Sequence, residues 1–144
     1  MNPTYAAENE AQRQRLLEVT ARLTAADFAR PLANGWTVRT KLIHLAFWDM
    51  YYLSCIEDWE RTGFVAFRFN VDAINETVRT LSRAIPDDSV IQMVCDAAEA
   101  IDSKVATMPT ELASAIEAGG YPRILHRALH RSEHLDQIEE AMKP

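Results

Sequence analysis

Glycine is scarce in this sequence, four in 144 residues, and proline is held to six. An all-β chain turns often and uses both residues to do so, so their scarcity excludes most β architectures. Cysteine occurs only at Cys55 and Cys95, far apart and each inside an apolar helical pattern. The expectation is two buried, reduced thiols. No apolar run approaches the ~20 residues that span a bilayer. The opening "MNPTYAAENEAQRQR" is polar and unlike a secretory signal. A cytoplasmic location with no membrane partner follows as the default. Positive charge is also in deficit: 15 Lys and Arg stand against 21 Asp and Glu, a net charge of -6. Non-specific nucleic-acid affinity comes mostly from Lys and Arg, so no nucleic-acid partner is expected.

What remains is an ordinary globular composition, 48% hydrophobic and 25% charged, at the size of one domain. There is no repeat, low-complexity tract or dividing linker, so residues 1–144 read as a single domain. Apolar spacing is helical almost throughout. The pattern predicts a helix from Thr4 to Leu23, then a helical turn and a loop, with Thr24 as cap and Asn34-Gly35 as a sharp reversal. A second helix starts at the N-cap Thr37 and runs to Arg61. It is apolar around almost its whole circumference, which places it centrally or against a second subunit, hence a homodimer. "GFVAFRFN" reads as a loop with apolar anchors. Helices are predicted over 71–84 and 90–107, with "PDDS" capping the latter. A short helix starting at Pro109-Thr110 and ended by Gly119-Gly120 precedes the last helix, from Pro122 to Met142. The fold class is all-α, a four-helix bundle with short extra helices.

Three of the four histidines lie in "HRALHRSEH", at His126, His130 and His134. The outer two are eight residues apart, about 12 Å along a straight helix. Zn–N bonds are about 2.0–2.1 Å, so no single ion reaches both. The pairs His126/His130 and His130/His134 remain. The apolar face of Leu135, Ile138, Ala141 and Met142 favours the second, with His126 turned toward solvent. The fourth, His44, lies in the apolar second helix. Ligands on two facing helices would make the open site of a catalytic metal. Against this stand a satisfied core histidine at position 44 and a solvated trio near a helix C-terminus.

Two segments carry a resemblance to a known family. "NGWTVRTKLIHLAFWD" is similar to the Gly-Trp-Ser/Thr-Val lead-in and His-Leu-Ala of the DinB-like (DinB/YfiT) proteins. "HRSEHLDQI" is similar to their pair of histidines four apart followed by Gln-Ile, and "VDAINETV" resembles a segment of some members. The resemblance covers essentially the whole chain. It implies a DinB/YfiT-like four-helix bundle with a divalent metal ion on His44, His130 and His134, leaving His126 outside. Zinc, nickel and iron all accept imidazole. Leu135-Asp136-Gln137 departs from the Arg-Gly-Gln of many members, which leaves the subgroup open. The family includes thiol-dependent transferases and an isomerase, so the resemblance implies a low-molecular-weight thiol or water activated toward a small electrophilic substrate.

Four more residues are candidates around that site. Asp49 falls on an apolar stripe, where an unpaired carboxylate is costly. It either orients a ligand or acts as a base, or it is structural, a buried cap or an ion pair with an arginine of another helix, and the structural role is favoured. Trp48 and Tyr51 lie one and two turns beyond His44 and could line a pocket or belong to the core. Gln137, one turn from His134, could bond substrate or the ligand ring. The rival reading is a non-catalytic dimeric helical bundle that binds a small ligand or metal.

Overall fold

A computed structural model describes residues 2 and 4–144. The described residues are helical with no strand: α1 (Thr4–Arg22), a 3-10 turn (Ala25–Ala29), α2 (Val38–Thr62), α3 (Val71–Ser82), α4 (Asp87–Thr107), α5 (Thr110–Ala118), α6 (Pro122–Leu125) and α7 (Arg127–Ala141). Thr37 caps α2, its side-chain oxygen accepting from Thr40 N–H at 3.2 Å. Asn70 caps α3, accepting from Ala73 N–H at 2.9 Å. Between the 3-10 turn and α2, Gly35 takes φ 82, a left-handed conformation open to glycine at no steric cost. The reversal lets Leu32 N–H reach Trp36 C=O at 2.6 Å and sets the Trp36 ring at the head of α2.

Four long helices form a closed ring of neighbours: α1 packs on α4, α4 on α2, α2 on α7, and α7 on α1. α2 also touches α3 and the 3-10 turn, so its apolar circumference is largely covered within the chain. Two apolar clusters result. One gathers Leu16, Val19, Leu42, Leu45, Val94 and Leu135; the other gathers Ile56, Trp59, Ile101, Ile116 and Leu125. Burying each such side chain stabilises the fold by roughly 1.5–3 kcal/mol.

A polar layer separates the clusters. Asp49 of α2, at 1% exposure, accepts from Arg127 Nε at 2.8 Å and Arg131 Nη2 at 3.3 Å. Arg131 also grips Asp102 of α4 with both terminal nitrogens, at 2.7 and 2.8 Å. Two carboxylates thus meet two guanidinium groups, and each of these four charges has a hydrogen-bonded counterpart. Asp49 is therefore an inter-helix ion-pair residue, the second of the two roles its sequence position suggested.

The predicted helix from Pro122 to Met142 is broken. His126, with φ -93 and ψ 71, interrupts it and separates α6 from α7. The break leaves Leu125 C=O and Ala128 N–H without helical partners. Asn9 of α1, 1% exposed, satisfies both: its amide nitrogen donates to Leu125 C=O and its oxygen accepts from Ala128 N–H, each at 2.8 Å. Two smaller differences concern α4 and the thiols. α4 begins at Asp87 rather than Val90, with Asp87 and Asp88 in its first turn, where carboxylates complement the helix dipole, and no side-chain cap bond. Cys55 and Cys95 are free but half-buried rather than buried.

Candidate metal centre

The break at His126 decides where the histidines point. His126 leaves the line of α7, stacks on Tyr5 with ring centroids 4.5 Å apart, and pairs with Glu8. It is packed against α1 and half-buried there, not turned to solvent. His130 and His134, one turn apart on α7, face α2 instead. There they meet His44, whose Nε2 is 3.1 Å from Nε2 of His130 and 3.1 Å from Nε2 of His134. One ligand atom from each ring lies within 4.8 Å of the others, so the three histidines could hold a metal ion.

The tautomers around this point are constrained by the outer ring nitrogens. Gln137 Oε1 lies 2.9 Å from His134 Nδ1 and can only accept, so Nδ1 carries the proton and Nε2 presents a lone pair. Arg127 Nη2 lies 3.0 Å from His130 Nδ1 and can only donate, so in this arrangement the His130 proton sits on Nε2. His44 Nδ1 is buried without a hydrogen-bond partner, although Asn75 lies beside the ring with its amide oxygen bonded to Trp48 Nε1 at 2.9 Å. With the His44 proton on Nδ1, one proton serves three converging nitrogens: it joins His44 to His130 and leaves the His44 and His134 nitrogens lone pair to lone pair. With that proton on Nε2, His44 donates to His134 and its N–H faces that of His130, so either tautomer leaves one repulsive contact. A cation at the point of convergence removes that repulsion and takes all three lone pairs. The residues therefore fit a metal ion, provided the His130 proton moves outward.

Burial also favours neutral rings. Desolvation, then the neighbouring His134, Lys41 and Arg127, press the His44 pKa down to about 3. Desolvation lowers His134 to about 4, against the opposing pull of Gln137. His130 is held well below the ordinary imidazole value by desolvation and by Arg127. A neutral imidazole is the form that binds metal.

The triad opens into a cavity of about 420 Å³. Its walls are apolar and aromatic, from Trp36, Trp48, Tyr52, Phe69 and Val71, with Lys41, Arg123, Arg127 and Glu133 among the polar residues. The 63–70 segment is the expected loop with apolar anchors. Phe67 stacks on Trp59 and Tyr121, and Tyr121 Oη donates to Phe67 C=O at 3.0 Å, which pins Phe69 beside Trp48.

Of the residues singled out by sequence, His44, His130 and His134 come together, Trp48 lines the cavity, and Gln137 bonds a triad ring. Asp49 does not touch the triad. Tyr51 lies outside the cavity, in a separate groove with Cys55 and Phe67, and its neighbour Tyr52 takes the wall position. Spacing alone did not single out Lys41, Asn75 or Arg127.

No protein-family model, curated protein or solved structure matches the chain.

Proposed function

We propose that the chain is a metal-dependent enzyme with the four-helix bundle of the DinB-like proteins. In this reading His44, His130 and His134 hold a divalent ion. The reaction is attack by a low-molecular-weight thiol or water on a small electrophile. The observation that carries it is the convergence of three Nε2 atoms from α2 and α7 on one point, with two separations of 3.1 Å. Ion-ligand bonds of about 2.0–2.1 Å bring imidazole nitrogens to roughly this spacing.

A divalent ion bound there supplies Lewis acidity that brings the pKa of a coordinated thiol or water toward neutrality. The chain's own part is to hold and to shield. Gln137 fixes the His134 ring by accepting its Nδ1 proton. Trp36, Trp48, Tyr52 and Phe69 line the cavity beside the triad with apolar surface. Glu133 is the one carboxylate on the cavity wall, and it is engaged with Arg123 at 3.2 Å. No free carboxylate base faces the triad, so the nucleophile's activation falls to the centre itself.

Metal analysis of the purified chain beside His44→Ala, His130→Ala, His134→Ala and His126→Ala tests the ligand set. Stoichiometric metal is expected in wild type and in His126→Ala, with loss in the other three. Retention in His44→Ala, or loss in His126→Ala, sinks the assignment. Catalysis is tested separately with a panel of biological thiols and small electrophiles. Metal-dependent turnover is expected; its absence with bound metal favours a binding protein built on the same centre.

A further inference from the structure

Lys41 stands one turn before His44 on α2 and is only 3% exposed. Its side chain lines the cavity, and its ammonium lies over the Trp36 ring, 4.4 Å from the centroid. Among the described residues its ammonium makes no hydrogen bond and has no carboxylate within ion-pair distance. Glu133 acts on it only from a distance, and that carboxylate is engaged by Arg123. The other buried charges are balanced: Asp49 and Asp102 face Arg127 and Arg131. Lys41 is the cation left over.

An ammonium partly withdrawn from water, with only an aromatic face for company, is costly, and a counter-anion would offset the cost. Among the described residues no free carboxylate reaches it, since Glu133 on the same wall is engaged by Arg123, whereas the cavity leaves room for an anion. We infer that Lys41 is an anion-binding residue and that the cavity takes a small organic carboxylate with a flat apolar body. One free cation suits a single negative charge. A phosphate group would be met by several free donors, and here the two cavity arginines are already engaged, Arg127 by Asp49 and Arg123 by Glu133. Trp36, Trp48, Tyr52 and Phe69 supply the faces for a flat body, and about 420 Å³ lies near the small end of ligand cavities, roughly 300–1,000 Å³. Lys41 lines the same cavity as His44, His130 and His134, so the bound carboxylate lies beside the triad. The inference deepens the proposed function, since it names the substrate class of the same cavity, but it stands on Lys41 rather than on the histidines.

The test uses benzoate, with benzamide as its neutral isostere, on the purified chain and again after chelator treatment. Calorimetry, or the fluorescence of the cavity tryptophans, reads the affinity. Benzoate is expected to bind about tenfold or more tightly than benzamide, the usual scale of a charge-assisted contact. That preference is expected to survive removal of metal, to persist in Lys41→Arg, and to vanish in Lys41→Met. Circular dichroism and thermal melting of Lys41→Met beside wild type show that the variant is still folded. Equal affinity for the two probes, no benzoate binding, or a preference that survives in Lys41→Met overturns the inference. So does a preference seen only with metal bound, which assigns the charge to the ion. A benzoate preference in a chain that binds no metal leaves this inference standing and removes the metal reading.

Discussion

Arg127 Nη2 stands 3.0 Å from His130 Nδ1, so a group that can only donate faces the nitrogen that must carry a proton if Nε2 is to bind a cation. Metal and guanidinium therefore compete for the His130 tautomer. The expected outcome of loading zinc into chelator-treated protein is a switch of the His130 proton from Nε2 to Nδ1, with loss of the Arg127 contact. The Arg127 Nε bond to Asp49, at 2.8 Å, need not break. Nitrogen-15 NMR of the imidazoles reads this directly. His130 signals that stay put while those of His44 and His134 move would count against the competition.

Gln137 plays the opposite part. Its carbonyl accepts the His134 Nδ1 proton and so favours the metal-binding tautomer. Removing such an outer partner typically costs about 10–100-fold in metal affinity. Gln137→Leu is expected to weaken zinc binding on that scale, measured by competition with a chromophoric chelator. Gln137→Glu, which keeps an acceptor, is expected to hold or raise affinity. A Gln137→Leu variant that binds as wild type does would show the contact to be incidental.

Asp49 ties α2 to α7 through two buried arginines. Breaking a buried pair by removing one partner usually costs about 3–5 kcal/mol, because an uncompensated charge remains. Asp49→Asn is expected to lose stability on that scale in urea denaturation, with metal stoichiometry unchanged while the chain is folded. Were Asp49 instead a partner of the triad, metal would be lost at little cost in stability.

The helices were legible because apolar spacing, Thr37 and Pro122 are local signals. The break at His126 was not, because "PRILHRAL" contains no breaker at that point. The groups that stabilise it belong to Asn9, more than a hundred residues away in sequence. The site shows the same division. His130 and His134 announce themselves by spacing, and His44 by its isolation in an apolar helix. Arg127 and Arg131 are among the largest fully buried side chains, yet as charged residues they read as a solvated face. Lys41 was hidden in the same way. Tyr51 and Tyr52 differ by one residue, about 100° around the helix, and only the position of α7 tells which one meets the cavity.

The buried histidines give the metal-free protein a pH dependence of definite sign. The His44 and His134 pKa values lie at about 3 and about 4, and that of His130 lies well below the ordinary value, mainly through desolvation. Lys41 and Arg127 press in the same direction, while Gln137 and Glu133 oppose it at His134. In the unfolded chain the rings titrate near 6.5. Just below that pH the unfolded state binds protons that the folded state refuses, so stability falls as pH falls. Each histidine contributes up to about 1.4 kcal/mol per pH unit. Chelator-treated wild type is therefore expected to lose stability between about pH 6.5 and pH 5, where few carboxylates titrate. A variant with His44, His130 and His134 all changed to Gln is expected to show a much shallower slope. Parallel slopes for the two proteins, in denaturant melts at matched pH, would mean that the rings are not held neutral together.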